Sequence, residues 1–202
     1  QKRFKREVIA EAAGLLSFLA IRTNDKVGAI LFSEHVDKYI PPQKGASHVW
    51  RLIKEIFSFD PPSKTTNIGE ALDYLNRVVK RHAIVFLISD FMVRNPEEKL
   101  ERQLMLTSKK HEITALKVRD PAEETLPRVG FIRMEDPETG VSVFVNTNDK
   151  FVRQRWKEMI QETDTAMTKV FKKSQVPLVE LTTDGSVVEP LTAFFHHRAI
   201  HR

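Results

Sequence analysis

Cysteine is absent from the 202 residues. That excludes disulfides, cysteine nucleophiles and thiolate metal sites, and it fits a cytosolic protein. No window approaches the ~18 consecutive apolar residues of a membrane span, and no cleavable signal pattern opens the chain. Internal repeats and low-complexity segments are also lacking. What is present is ordinary for a folded domain: 41% apolar and 29% charged residues, at a length suited to one well-buried domain rather than two. The net charge of +5 comes mostly from short clusters at Lys2 to Arg6, Lys80-Arg81-His82, Lys109-Lys110-His111 and Lys172-Lys173. Helix C-termini favour such cations. No aromatic-basic recognition motif accompanies them, so nucleic acid is not an expected partner.

Hydrophobic spacing predicts the elements. Phe4, Val8, Ala12, Leu15, Leu16 and Leu19 recur at helical intervals, and the turn cluster Thr23-Asn24-Asp25 ends that helix near Arg22. Val27 to Phe32 reads as a buried strand, with Val36 to Ile40 as its antiparallel neighbour and Pro41-Pro42 as its stop. Val49 to Ile56 marks a short helix. Asp60-Pro61-Pro62-Ser63 is a loop leading into a helix with Ile68, Leu72, Leu75 and Val79 inward. The uncharged run Ala83 to Ile88 reads as a central parallel strand. Asn95-Pro96-Glu97-Glu98 opens a helix to about Lys110, and Ile113 to Val118 is the next strand. A β-hairpin from Val129 to Val145 turns at Asp136-Pro137-Glu138-Thr139-Gly140. Asp149 caps a long helix striped by Val152, Trp156, Met159, Ile160, Thr163, Met167, Val170 and Phe171. A strand over Val176 to Leu181 and a helix over Val187 to His197 complete the order.

Strands alternating with helices indicate an α/β fold, a mostly parallel open sheet with helices on both faces and a hairpin insertion. Such sheets usually begin with a strand, whereas this chain opens on a helix and on Gln1. The expectation is a single domain, 1–202, whose first central strand lies upstream.

In an open α/β sheet, ligands bind at the C-terminal ends of the strands. Thr66, before a helix, and Asp90, at a strand end, offer a hydroxyl and a carboxylate there, both hard oxygen donors suited to a magnesium-type ion. Each also has a structural reading. Thr66 and Asn67 sit where helix caps occur, with Glu70 placed to close a capping box from Asn67, and Asp90 can accept turn hydrogen bonds. Ser89 points to the opposite face. Asp120 and Glu123 suggest a carboxylate pair, but Asp-Pro is a common turn starter, and no nucleophile or substrate pocket accompanies them. His197 and His201 have a zinc-compatible spacing near the chain end. Trp50 and Trp156 read as packing residues.

Several motifs in order carry a family resemblance: Asn24-Asp25-Lys26-Val27-Gly28, Phe32-Ser33, Ile40-Pro41-Pro42-Gln43-Lys44-Gly45 and Thr65-Thr66-Asn67-Ile68-Gly69-Glu70-Ala71-Leu72. Leu87-Ile88-Ser89-Asp90-Phe91, Val118-Arg119-Asp120-Pro121-Ala122-Glu123, Asp136-Pro137-Glu138-Thr139-Gly140 and Phe194-Phe195-His196-His197-Arg198 follow. The set resembles the bacterial "domain of unknown function fifty-eight", with a von Willebrand factor A-like fold. The resemblance implies a metal-ion-dependent adhesion site for Mg²⁺ or Mn²⁺. Thr66 would be a direct or water-bridged ligand, Asp90 would act through water, and Asn67 and Phe91 would flank them. The family's Asp-x-Ser-x-Ser loop lies upstream of the opening helix and has no match here. The resemblance also implies a non-enzymatic protein-interaction module working with a MoxR-type AAA+ ATPase in maturation or assembly of other proteins. That reading places it in the cytoplasm, with an upstream membrane anchor as a variant. The alternatives are a metal-dependent hydrolase or nuclease using carboxylates at the same sheet end, and a metal-free scaffold.

Overall fold

The structure, a computed structural model, describes residues 3–92, 98–135 and 142–200. At its centre is a parallel sheet in the order β3 (Ile84–Ser89), β4 (Glu112–Arg119), β7 (Leu178–Thr182). Side-chain alternation along these strands sorts the core into two clusters. Val85 and Leu87 of β3, Ile113 and Ala115 of β4, and Leu178 of β7 face one side. There they pack with α3 (Ile68–Val78), α4 (Glu98–Lys110) and α6 (Lys150–Lys173) through Ile68, Leu72, Leu104, Met167 and Phe171. Phe86, Ile88, Leu116, Val118, Val179 and Leu181 face the other side. Their partners are α1 (Lys5–Arg22) and α7 (Val188–Ile200), through Val8, Ala12 and Leu191. Helices on both faces of a parallel sheet are as the hydrophobic pattern predicts.

The sequence reading put the strand at Ala83 to Ile88 in the centre of the sheet. Among the described residues β4 is central instead, and β3 pairs on one side only. Six consecutive residues of β4, Ile113 to Val118, are buried, as befits a strand paired on both edges and covered on both faces. By contrast Ile84, which opens β3, is exposed.

A second correction concerns Pro41-Pro42, which do not end their strand. β2 (Val36–Gln43) runs through both and pairs antiparallel with β1 (Val27–Phe32). Two facts permit this. Among the described residues β2 has β1 as its one strand partner, so a missing N–H can face away from the ladder. The register also slips between Val27 and Ala29, whose partners are Gln43 and Ile40, and such a bulge frees the prolines from regular pairing. Gly28 sits opposite the slip. A Cβ there would lie 2.6 Å from the Ile40 carbonyl oxygen and 2.9 Å from the Pro42 nitrogen, so only glycine fits.

β1 and β3 are not hydrogen-bonded to each other, and each has a strand partner on one side among the described residues. Phe32 of β1 nevertheless packs against the cluster that holds Leu87 of β3. The remaining elements are α2 (Ala46–Phe57), the short α5 (Pro121–Glu124), and the hairpin of β5 (Phe131–Glu135) and β6 (Ser142–Asn146). α5 replaces the simple turn expected at Asp120-Pro121. The helix start at Asn95-Pro96-Glu97, the hairpin turn at Asp136 to Gly140, and His201 lie outside the described residues. No described helix is long and apolar enough to cross a membrane.

Candidate functional site

Asp90 follows directly on β3, in a tight turn. The Ser89 hydroxyl accepts the Phe91 N–H at 3.1 Å, and Asp90 Oδ1 accepts the Met92 N–H at 3.3 Å. Phe91 takes φ of +53° there, and its ring is buried edge-on to Phe171 at 5.0 Å. The left-handed residue is thus held by an aromatic anchor beneath it. Asp90 Oδ2 is occupied as well: the ammonium of Lys5, in the first turn of α1, lies 3.1 Å away. The same ammonium is bonded to the Glu123 carboxylate of α5.

Thr66 is exposed, one residue before the α3 cap. Asn67 is that cap: its Oδ1 accepts the Glu70 N–H at 3.0 Å, and its own N–H donates to the Ser33 carbonyl at 2.8 Å. Glu70 does not close the box on Asn67 but turns to His35 Nδ1 at 3.0 Å, an ion pair that raises His35 above its ordinary value. The contact with Ser33 places the Thr66 loop at the C-terminal end of β1. Phe32, Ile68 and Phe91, neighbours of Ser33, Asn67 and Asp90, belong to one apolar cluster.

Behind Asp90 lies a cleft with room for about 20 Å³, the size of a single water, lined by Lys5, Asp90, Lys117, Arg119, Glu123 and Asp164 among others. Lys117 is buried in β4 and paired with Asp164 of α6. Arg119 binds Glu124 at 2.6 Å and Glu180 at 3.2 Å, with Asp164 at 3.7 Å. Burial works against the charges on Lys5 and Arg119. The carboxylates outweigh it, Asp90 and Glu123 for Lys5 and Glu124, Glu180 and Asp164 for Arg119, so both are raised above their ordinary values.

A magnesium-type ion takes about six oxygen ligands. Thr66 and Asp90 provide two groups, and one carboxylate oxygen of Asp90 already holds an ammonium. Among the described residues no three His, Asp or Glu side chains converge as a metal cluster. The residues present do not by themselves fit the dication that the resemblance implies.

The other candidates separate in the same way. Asp120 Oδ1 accepts the Ala122 N–H at 2.9 Å and caps α5, while Glu123 is committed to Lys5, so the two do not form an acid–base pair. Trp156 does more than pack: its indole N–H donates to the Glu123 carbonyl at 2.8 Å and fastens α5 to α6. Trp50 is exposed and meets Phe18 edge-on at 5.5 Å. Sequence reasoning missed Lys5, Lys117, Arg119 and Asp164. Lys117 carried a signal, a lone charge within an apolar strand. Lys5, one of several cations before the first helix, carried none.

The hairpin adds two exposed aromatic side chains at this end of the molecule, on a face they share with Arg133, Glu135, Ser142 and Asn146. Lys64, two residues before Thr66, pairs with Glu135 of β5 at 2.9 Å and ties hairpin to loop. Arg133 opposes Phe144 and Phe131 opposes Asn146, so the two phenylalanines share one hairpin face. They are 72% and 77% exposed.

A parallel sheet sandwiched by helices, with a charged cleft at the C-terminal ends of its strands, defines an open-sheet α/β domain. The chain belongs to the family described as "Protein of unknown function DUF58", whose model matches residues 1–166. It is similar to uncharacterized protein Rv1480 of Mycobacterium tuberculosis, at 26% identity over 200 residues, covering 96% of this chain and 61% of that protein. Uncharacterized protein MAV169 of Mycobacterium avium is 25% identical over 161 residues, covering 79% of this chain and 93% of that one. The chain thus spans about three fifths of the length of the first of these relatives. Among solved structures, an aerotolerance-related membrane protein from Bacteroides fragilis aligns with a TM-score of 0.49 at 19% identity, over 84% of this chain and 88% of that one.

Proposed function

We propose that this protein is a non-enzymatic protein-interaction module that docks its partner on the C-terminal end of the sheet together with the hairpin β5–β6. The observation carrying this reading is the exposed aromatic face, Phe131 and Phe144, tethered through Glu135 and Lys64 to the loop bearing Thr66. Aromatic residues and arginine are enriched at protein interfaces, and Arg133 lies opposite Phe144 on this face. The family resemblance supplies the partner, a MoxR-type AAA+ ATPase, and a role in maturing or assembling other proteins. The Mg²⁺ or Mn²⁺ requirement of the same resemblance stays outside this reading, because Thr66 and Asp90 do not fit the ion unaided. The hydrolase or nuclease alternative gains no observation in its favour: Asp90 and Glu123 are committed to Lys5, and Asp120 to a helix cap.

The test is binding to the purified MoxR-type ATPase by biolayer interferometry, with wild type and the double variant Phe131→Ser/Phe144→Ser. The variant is expected to bind about tenfold or more weakly while melting at the wild-type temperature, since both rings face solvent. Equal binding by the two proteins, or none by wild type, would sink the proposal.

A further inference from the structure

The cation beside Asp90 belongs to the chain itself. Lys5 Nζ donates to Asp90 Oδ2 at 3.1 Å and to the Glu123 carboxylate, bringing together the end of β3, α5 and the first turn of α1. We propose that the Lys5 ammonium is the resident counter-cation of the Asp90–Glu123 carboxylate pair, holding it without a divalent metal and locking the start of α1 onto this end of the sheet.

Three observations carry this beyond a chance surface ion pair. First, Lys5 is delivered by an anchored segment. Arg3 Nε donates to the Thr183 carbonyl at 3.3 Å, its guanidinium also reaches the Gly185 carbonyl, and the Phe4 N–H donates to the Glu7 carboxylate at 2.7 Å. The Lys5 side chain is accordingly 22% exposed, against 72% for Lys64 in its pair with Glu135. Second, both oxygens of Asp90 are in use, Oδ2 on Lys5 and Oδ1 on the Met92 N–H. An incoming dication would have to expel the ammonium or sit beside it, against like-charge repulsion. Third, four of the five carboxylates lining the cleft already have a cation: Asp90 and Glu123 share Lys5, Asp164 has Lys117 and Glu124 has Arg119, while Asp120 caps α5. Without Lys5 the two carboxylates would lose their shared counter-charge, which another cation could then supply. The raised pKa of Lys5 agrees with an ammonium that stays charged.

The proposal concerns the face assigned above to partner docking but is read in a separate assay, so either conclusion can fail without the other. Mn²⁺ is titrated into wild type, Lys5→Met and Lys5→Met/Asp90→Asn, followed by electron paramagnetic resonance and by thermal melting. Wild type is expected to bind no Mn²⁺ saturably and to melt alike in EDTA and in Mn²⁺. Lys5→Met should melt lower and recover part of the loss in Mn²⁺, and the recovery should vanish in the double variant. Saturable Mn²⁺ binding by wild type that Asp90→Asn abolishes would overturn the proposal. So would a Lys5→Met protein that melts like wild type and ignores Mn²⁺. If Lys5→Met does not fold, acetylation of wild type by acetic anhydride decides: Lys5 should react more slowly than Lys64, at a rate Mn²⁺ does not change. Faster modification of Lys5 on adding Mn²⁺ would refute the idea.

Discussion

Lys117 is charged at a position where the strand pattern asks for an apolar residue. Its burial is tolerable because α6 brings Asp164 to it. Removing one partner of a buried pair leaves an uncompensated charge, whereas replacing both with apolar groups restores a packed core. Asp164→Ala should therefore lose about 3–5 kcal/mol in urea unfolding, and Lys117→Met/Asp164→Leu should recover most of it. A double variant no better than the single would show that the pair is not what holds β4 to α6. His111 poses the opposite case: a buried imidazole with neither ring nitrogen bonded among the described residues. Burial first, then the nearby Lys110 and His82, holds it below its ordinary value. The unfolded chain then takes up the proton more readily than the folded one. Stability from this group is full above about pH 6.5 and falls as pH drops toward the lowered folded value, by at most about 1.4 kcal/mol per pH unit. Urea midpoints measured from about pH 7.5 to about pH 5.5 should decline less in His111→Leu than in wild type; parallel declines would rule the ring out. At this scale the sequence revealed residue types but not partners. Asp90 was visible as a carboxylate at a strand end. That its counter-charge comes from a residue 85 positions earlier is a fact of tertiary packing, which no local pattern encodes.

The elements were more legible, and the misses have local causes. Helical spacing located α1, α3 and α6, and the Asn67 and Asp149 caps are both formed. Proline misled at β2, because the rule against it in strands holds for interior strands and β2 has a partner on one side. Ala83 to Ile88, the charge-free and most apolar run, points to a central strand, yet among the described residues β4 holds that place. Lys117 made β4 look less central than it is, yet its charge is neutralised from α6. Gly28 offers a direct test of the β1–β2 geometry. Gly28→Ala would press a methyl group against the Ile40 carbonyl and the Pro42 ring nitrogen, both backbone atoms. The substitution should cost about 1–3 kcal/mol, read from the denaturation midpoint. A neutral result would mean that the two strands can separate at the bulge without penalty.

For the whole molecule, the notable feature is a sheet in two pieces. β1 and β3 border the same apolar cluster, yet neither pairs with the other. Backbone N–H and C=O groups beside a core are normally paired, so two strands that border one cluster, each with one strand partner among the described residues, predict that one more strand can enter between them. β1 and β3 are each 6 residues long, which sets the length of strand required. Amide hydrogen exchange tests the consequence. β4, paired on both edges and covered on both faces, should exchange slowest, with β1 and β3 well ahead of it. An extended apolar peptide supplied in trans that entered between them would slow β1 and β3 and leave the β5–β6 hairpin unchanged. If β1 and β3 already exchange as slowly as β4, their edges are covered and no strand can enter between them. If an added strand protects the hairpin instead, it has docked on the exposed Phe131–Phe144 face, and the two surfaces of this domain would have to be reassigned.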